Sequence, residues 1–379
     1  MPLFLNDDQA ALQDTIRGFV AEHAPVGHMR ALRDSDDATG FSRDLWTQFA
    51  EMGFTGILIG EEHGGLGMGH VEAGIVLEEI GRNLTPSPFL TTAVAAVAAL
   101  DGAYPDQART WLPRIAAGDA LFALALDGGP KHQPVNASLR AEPSGNGFRL
   151  NGRKQFVVHG HVADMLIVSA ITGGRPGEEA HFVSLFLVSP KTQGISIEPV
   201  RMVDAGLAST VTFDDVEVAG DALLCQVNEG LDLLGKLNRA GGVGAAAELL
   251  GVGGAAADMT LSYLKQRKQF GTVIGSYQAL QHRAAHLYAE MEVARAAVLK
   301  AQQMLDANSP QADDAVSVAK AMATLATTLS VQEGVQMHGG IGMTDEYDIG
   351  FYMKRGRVLA EMFGDANYHA DKLALTAGY

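Results

Sequence analysis

The chain has 379 residues, of which 47% are hydrophobic and 19% charged, and 28 basic residues against 44 acidic ones leave a net charge of −16. That length predicts two or three packed units rather than a single core. So acidic a chain, with no long Lys/Arg run, is repelled by nucleic-acid phosphates and anionic membrane surfaces, and its one cysteine, Cys225, excludes an intrachain disulfide.

The N-terminal stretch Met1-Pro2-Leu3-Phe4-Leu5-Asn6-Asp7-Asp8 lacks the basic start of a signal peptide. No apolar run reaches the roughly 18 residues of a transmembrane helix. Both observations lead to the expectation of a cytoplasmic protein without a membrane span. Residues 1–120 read as helical. Leu12, Ile16, Phe19 and Val20 share one helical face, and further patterns cover 71–84 and 89–100, separated by Pro86 and Pro88. Gly64-Gly65-Leu66-Gly67 is a loop, but no Lys-Ser/Thr follows it, so it is not a phosphate loop.

Strand-like runs follow at 148–150, 155–158, 165–171, 181–188, 195–200 and 209–218, with Asn151-Gly152 as a hairpin signal between the first two. No helical pattern separates them, which points to an antiparallel sheet or small barrel. From about residue 226 the helical period returns. Tyr277, Leu280, Ala284, Leu287, Met291, Ala294, Val298 and Leu305 form one stripe, and Val318, Met322, Leu325 and Leu329 another. The expected fold is α+β and mainly α: an N-terminal helical domain (1–120), a central antiparallel β-barrel (121–225) and a C-terminal four-helix bundle (226–379).

Two motifs carry chemistry. Arg267-Lys268-Gln269-Phe270-Gly271 closes a long helix, with Gln278 and Gln281 just beyond. Its Arg offers a fork of donors suited to a pyrophosphate, although cations also favour helix C-termini, with Gly271 ending the helix. Gln336-Met337-His338-Gly339-Gly340-Ile341-Gly342 would let a ligand approach the main chain closely, or would simply be a helix cap and turn. His282, His286 and Glu290 share a helix face but lack a zinc hydrolase's spacing, so no metal is expected. His159 and His161 flank a glycine and read as a turn.

Taken together, these two motifs resemble those of the acyl-CoA dehydrogenases. Glu61-Glu62-His63-Gly64-Gly65-Leu66-Gly67 and Val76-Leu77-Glu78-Glu79-Ile80-Gly81-Arg82 agree, and the resemblance runs from end to end. It implies FAD-dependent α,β-desaturation of an acyl-CoA, with electrons passing to an electron-transfer flavoprotein. It further implies that Arg267, Gln269 and Phe270 touch the FAD of a neighbouring subunit, Arg267 on the pyrophosphate, and that Gln278 reaches that FAD. Gln336, Gly339, Gly340 and Gly342 would line the adenosine-pyrophosphate end. A site shared between chains calls for a homo- or heterotetramer.

Departures from the family pattern concern the proton acceptor. Phe363 stands where the family's Glu usually stands, and Asp365 stands at the usual flavin-contacting Thr. The family's second location for that Glu is Gly241, followed by Gly242. Glu248, two turns further on the same helical face, is the expected base. In the segment that backs the flavin, Phe156 replaces Trp and Val158 replaces Thr, and the preceding Thr-Glu is reduced to Ala125-Leu126-Asp127. These features resemble the small-subunit type, which acts in heterotetramers on dicarboxylyl, aromatic or steroid side-chain thioesters. The side-chain-poor run Gly241, Gly242, Gly244 and 245–247 fits a bulky acyl group, or else close helix packing. The alternatives are a non-catalytic partner subunit and a flavin oxidase or monooxygenase on the same fold.

Overall fold

The computed structural model describes residues 2–136, 138–175 and 177–379. Helices open the chain: α1 (Asp7–His23), α2 (Val26–Asp34), α3 (Arg43–Glu51) and α4 (His70–Arg82). A π-helical stretch, Leu90–Ala96, leads into α5 (Val97–Asp101), and α6 covers Pro105–Ala116. Local chemistry sets several starts. Asn6 and Gln9 form a capping box ahead of α1, Ser42 caps α3, and Pro105 opens α6. Strands β1 (Phe122–Ala125), β2 (Leu139–Ser144), β3 (Gly147–Val158), β4 (Met165–Ile171), β5 (Val183–Val188), β6 (Ile195–Arg201) and β7 (Leu207–Ala219) follow. The chain then forms α7 (Gly230–Gln266), a small hairpin of β8 (Lys268–Gln269) and β9 (Thr272–Val273), α8 (Gln278–Asp306), α9 (Ala312–His338), α10 (Ile349–Glu361) and α11 (Ala366–Thr376).

The residues gather into two compact units, neither continuous in sequence. One comprises Met1–Ala31, His70–Thr85 and Gly242–Tyr379, the other Leu32–Gly69 and Pro86–Gly241. In the first, helical unit, α1 packs on α4, α4 on α8, and α9 touches α8, α10 and α11. α4 and α7 cross backbone to backbone. A Cβ added at Gly81 would stand 2.2 Å from the Glu248 carbonyl oxygen, and one at Gly251 would stand 1.9 Å from that of Glu78. A helical glycine costs about 1 kcal/mol relative to alanine, and at this crossing no larger residue fits.

The two helical stripes fare differently. On α8 the buried residues include Leu287, Met291, Ala294 and Val298, as the sequence predicts. On α9 the expected stripe is the outer one: Val318 and Leu325 are exposed, the latter at 63%. The inner face is built instead from Val316, Ala319, Lys320, Ala323, Thr324, Thr327, Ser330 and Val331. Small and polar residues pack there because the neighbouring helices come close and supply carbonyl acceptors. Thr327 Oγ1 donates to the Leu249 carbonyl and Ser330 Oγ to that of Gly253.

The second unit is built on a seven-stranded sheet in the order β1-β4-β2-β3-β7-β6, with β5 on the far side of β4. It is mixed rather than antiparallel, since β1 and β4 pair in parallel. The long crossover such a pair needs is supplied by the β2–β3 hairpin instead of a helix. That hairpin also corrects the turn expected at Asn151-Gly152. β3 runs through these residues, and the chain reverses at Gly145-Asn146, where Gly145 has φ +55°. Asn151 reaches across the sheet to Asp215, exchanging two hydrogen bonds with it. β2 went unread because Pro143 usually demotes a strand; here it sits beside the turn. Leu139, Leu150, Val157, Leu166, Val168, Phe186, Val211 and Phe213 form the core between the strands.

α7 is long and apolar enough to cross a membrane by length and composition, and 89% of its most apolar stretch is buried inside the protein. The expectation concerned unbroken apolar runs, and Glu248 interrupts this one.

Candidate active site

In the helical unit, the first motif forms the tip of the β8–β9 hairpin. The helix ends at Gln266, before the motif, and Phe270 and Gly271 make the turn with φ +51° and +82°. Gly271 therefore serves the hairpin rather than ending the helix. A non-glycine residue in this region is uncommon, and here it lifts the Phe270 ring clear of its own chain, 92% exposed. Arg267 and Gln269 on this hairpin and Gln278 at the start of α8 are exposed too. Among the described residues, the side chains of Arg267, Gln269, Gln278 and Gln336 make no hydrogen bond or ion pair. This cluster is turned away from the chain that carries it.

The second motif lies beside the first. α9 ends at His338, whose ring packs against Tyr263 at 4.4 Å and Tyr347 at 4.7 Å between centroids. Tyr263 is on the last turn of α7, where its carbonyl accepts the Arg267 N–H. The aromatic cluster thus ties the end of α7 to the end of α9. Burial pushes the His338 imidazole below its usual range, so it is neutral near pH 7, and its Nδ1 lies 2.7 Å from the Gly334 carbonyl. Just beyond, Gly339 has φ +64° and ψ −141°, a conformation close to one that only glycine adopts readily. A Cβ at Gly339 or Gly340 would meet nothing within 4 Å. The main chain there is open to a ligand, with exposed Gln336 alongside. Gly342 differs. It is buried, and a Cβ would stand 2.8 Å from the Val335 carbonyl oxygen, so its missing side chain lets the turn pack back on the end of α9.

Glu248 lies inside the same unit, 2% exposed. One carboxylate oxygen accepts from both Nε (2.9 Å) and Nη2 (2.5 Å) of Arg355 on α10. This pair explains how a carboxylate survives in an alanine-rich helix: a buried charge needs a hydrogen-bonded partner. It also commits one of the two carboxylate oxygens to Arg355.

After α10 comes the turn with Phe363 and Asp365. Phe363 is 8% exposed with φ +57°, and Gly364 has φ +98°. Asp365 caps α11, its Oδ1 accepting from the Tyr368 N–H at 2.8 Å. Sequence reasoning missed Arg355, Tyr263, Tyr347 and Lys320. For Lys320 a signal existed, since it falls in register with Ala319 and Ala323 on the inner face of α9.

In the sheet unit, β3 bulges between Lys154 and Val157, and Phe156 and His159 take φ +56° and +58°. Phe156 is half-buried and Val158 buried. Lys154 is fully buried. Its Nζ donates to the Leu126 carbonyl (2.6 Å) and the Ser169 hydroxyl (3.1 Å), and burial lowers its pKa to about 7 despite nearby Asp127. Asp127 accepts from the Gln133 N–H and faces His132 Nδ1 at 3.0 Å, while its carbonyl accepts the Gln155 N–H. The segment 125–127 and the bulge are thereby joined. On α8, exposed His286 and Glu290 pair across one turn at 3.4 Å, and His161 lies 3.3 Å from the Thr39 carbonyl.

Chemically, the helical unit offers an unpaired guanidinium, amide side chains and open glycine backbone, a donor set that fits a pyrophosphate-bearing cofactor. Comparison with known proteins gives the family. Family models match over nearly the whole chain: the acyl-CoA dehydrogenase N-terminal domain over 6–119, the middle domain over 127–216 and the C-terminal domain over 228–377. The acyl-CoA dehydrogenase IpdE2 of Mycobacterium tuberculosis is 32% identical over 357 residues, covering 94% of this chain and 93% of that protein. The short/branched chain specific mitochondrial enzyme of Bos taurus is 27% identical, covering 97% of this chain and 85% of that one. Among solved structures, a variant of the Tcur3481–Tcur3483 steroid ACAD matches with a TM-score of 0.87 and 28% identity over 98% of both chains.

Proposed function

Because the chain belongs to the acyl-CoA dehydrogenase family, we propose that it acts in FAD-dependent α,β-desaturation of a bulky acyl-CoA, as one subunit of a heteromeric enzyme whose partner supplies the proton acceptor. The observation that carries this reading is Phe363. A buried phenyl ring, which cannot take a proton, stands where the resemblance expects a carboxylate. Glu248, the nearest replacement on the family's second helix, holds Arg355 instead. A base has to reach the α-proton of the thioester with a free lone pair.

Bound FAD would supply hydride acceptance from the β-carbon. This chain would contribute Arg267, Gln269, Phe270 and Gln278 towards a neighbouring subunit's FAD. Gln336, Gly339 and Gly340 would receive the adenosine-pyrophosphate end, and Phe156 and Val158 would back the ring. Asp365 would approach it from the start of α11. Electrons would leave to an electron-transfer flavoprotein. The likeness to a steroid ACAD named for two components supports both the heteromeric assembly and the bulky, ring-bearing acyl group. On α9, the exposed stripe of Val318 and Leu325 is apolar surface that an assembly would cover.

The test is to isolate the native assembly from its host, measure its subunit masses, and add ring-bearing and straight-chain thioesters without oxygen. Two different subunits and flavin bleaching by the bulky thioester are expected. A homomer that is bleached faster by butyryl-CoA would overturn the reading. Turnover only with oxygen would point to the oxidase or monooxygenase alternative.

A further inference from the structure

Lys320 is fully buried on the inner face of α9. Its Nζ donates to the carbonyl oxygens of Gly364 at 2.9 Å and Ala360 at 3.1 Å, and reaches the Thr324 hydroxyl at 3.4 Å. The two carbonyls bracket the turn that carries Phe363. That turn is conformationally costly at Phe363, a bulky residue held at φ +57°, whereas Gly364 takes its positive φ freely. Such a turn persists only if its surroundings hold it. Two other groups assist: an imidazole nitrogen of His369 lies 3.0 Å from the Phe363 carbonyl oxygen, and Asp365 fixes the start of α11. A hydrophobic side chain would fill the space at position 320 without any desolvation cost. The amine is kept despite burial lowering its pKa to about 7, with Asp365 and Glu361 acting against that shift.

We propose that Lys320 is a positioning residue for acyl-group selection: by holding the Ala360 and Gly364 carbonyls it fixes the turn that presents Phe363, and so sets which thioesters are accepted. This deepens the reading above and rests on it, since it takes Phe363 to border the acyl group. Lys320 touches no reacting atom; it acts through the turn.

The experiment is a double-mutant cycle in the assembled, FAD-loaded enzyme. Lys320→Met, Phe363→Ala and the double variant are each given butyryl, branched and ring-bearing CoA thioesters, with kcat per bound flavin and KM measured separately. Lys320→Met should change the KM ratio between bulky and short thioesters by about tenfold, the scale of a pocket altered by a methylene or two, with kcat changing less. In the Phe363→Ala background that change should vanish. Lys320→Gln, which keeps a donor, should restore part of the ranking and covers the case in which the methionine variant folds poorly. An unchanged ranking in both Lys320 variants, while Phe363→Ala shifts it, would overturn the role of Lys320 alone. A Lys320→Met effect that persists without the Phe363 ring would reduce Lys320 to a packing role. If Phe363→Ala itself leaves the ranking unmoved, the underlying placement of Phe363 beside the acyl group fails.

Discussion

Within the helical unit, Glu248 and Lys320 lie inside while Arg267, Gln269, Gln278 and Gln336 lie at the loop end, and the two sets differ in how their polar atoms are satisfied. Inside, Glu248 holds Arg355 and Lys320 holds two carbonyls. At the loop end a guanidinium and three amides have no side-chain partner among the described residues. Polar groups with internal partners are committed to holding the fold, because removing them strands another buried group. Polar groups held out on a hairpin tip and an open glycine turn leave no buried group stranded when removed and are available to a ligand or a neighbouring subunit. The contrast shows which carboxylate or guanidinium to treat as structure and which as function, something residue type alone does not reveal.

The largest expected effect comes from breaking the inner set. Glu248→Ala leaves the mostly buried Arg355 guanidinium without its carboxylate. Loss of one partner of a buried pair costs about 3–5 kcal/mol, so denaturant unfolding should show a shift of that order. Glu248→Gln should destabilise less. In the folded, flavin-loaded enzyme it should leave bleaching by substrate in place. If bleaching stops in the glutamine variant while the denaturation midpoint holds, Glu248 is the base after all and the division between inner and outer groups is wrong at that residue.

At the outer set the expectation reverses. Arg267→Ala removes a charge-assisted contact to a phosphate oxygen, so FAD retention should fall by about tenfold. Thermal unfolding of the apo-protein should stay where it is, since the side chain has no partner among the described residues. Flavin absorbance before and after desalting reads the first quantity and calorimetry the second. A melting temperature that falls with Arg267→Ala would mean the hairpin is part of the fold, and the contrast would blur.

Much of this was legible beforehand where it depended on local pattern. The middle of the stripe on α8 and the helix over most of 71–84 follow from spacing, although Tyr277 at the head of that stripe is exposed and Gly271 turns a hairpin instead of ending a helix. What escaped depended on partners distant in sequence. The inner face of α9 is small and polar because carbonyls of α7 and of the turn after α10 await its hydroxyls and its lysine, and periodicity in apolar residues therefore selected the outer face. Asn151-Gly152 carries a hairpin's composition, yet β7 pairs across it and the reversal falls on Gly145-Asn146. The Arg355 partner of Glu248 lies on a helix remote in sequence. A spacing argument could put Glu248 on one face with Gly241 but could not say what the face meets.

The smallest effect is a dependence of stability on pH to which the buried amines contribute. Burial lowers Lys320 and Lys154 to about 7, from the usual lysine value of 10.5. Below pH 7 folded and unfolded chains both hold the proton, and the full burial penalty applies. Between pH 7 and the unfolded value the unfolded chain binds more protons, so stability rises with pH. A single amine shifted this far contributes about 1 kcal/mol between pH 6 and pH 8. Four imidazoles, those of His28, His70, His161 and His338, are also lowered by burial and slope the same way, so the raw profile cannot isolate one lysine. The difference between wild type and Lys320→Met can. Unfolding free energies measured by denaturant at pH 6 and pH 8 should show the wild type gaining on the methionine variant as pH rises. A flat difference would mean that the Nζ keeps its proton throughout, held by the Ala360 and Gly364 carbonyls more firmly than burial opposes. Asp365 and Glu361 holding the ammonium charged would give the same flat difference, because folded and unfolded chains would then both keep the proton from pH 6 to pH 8.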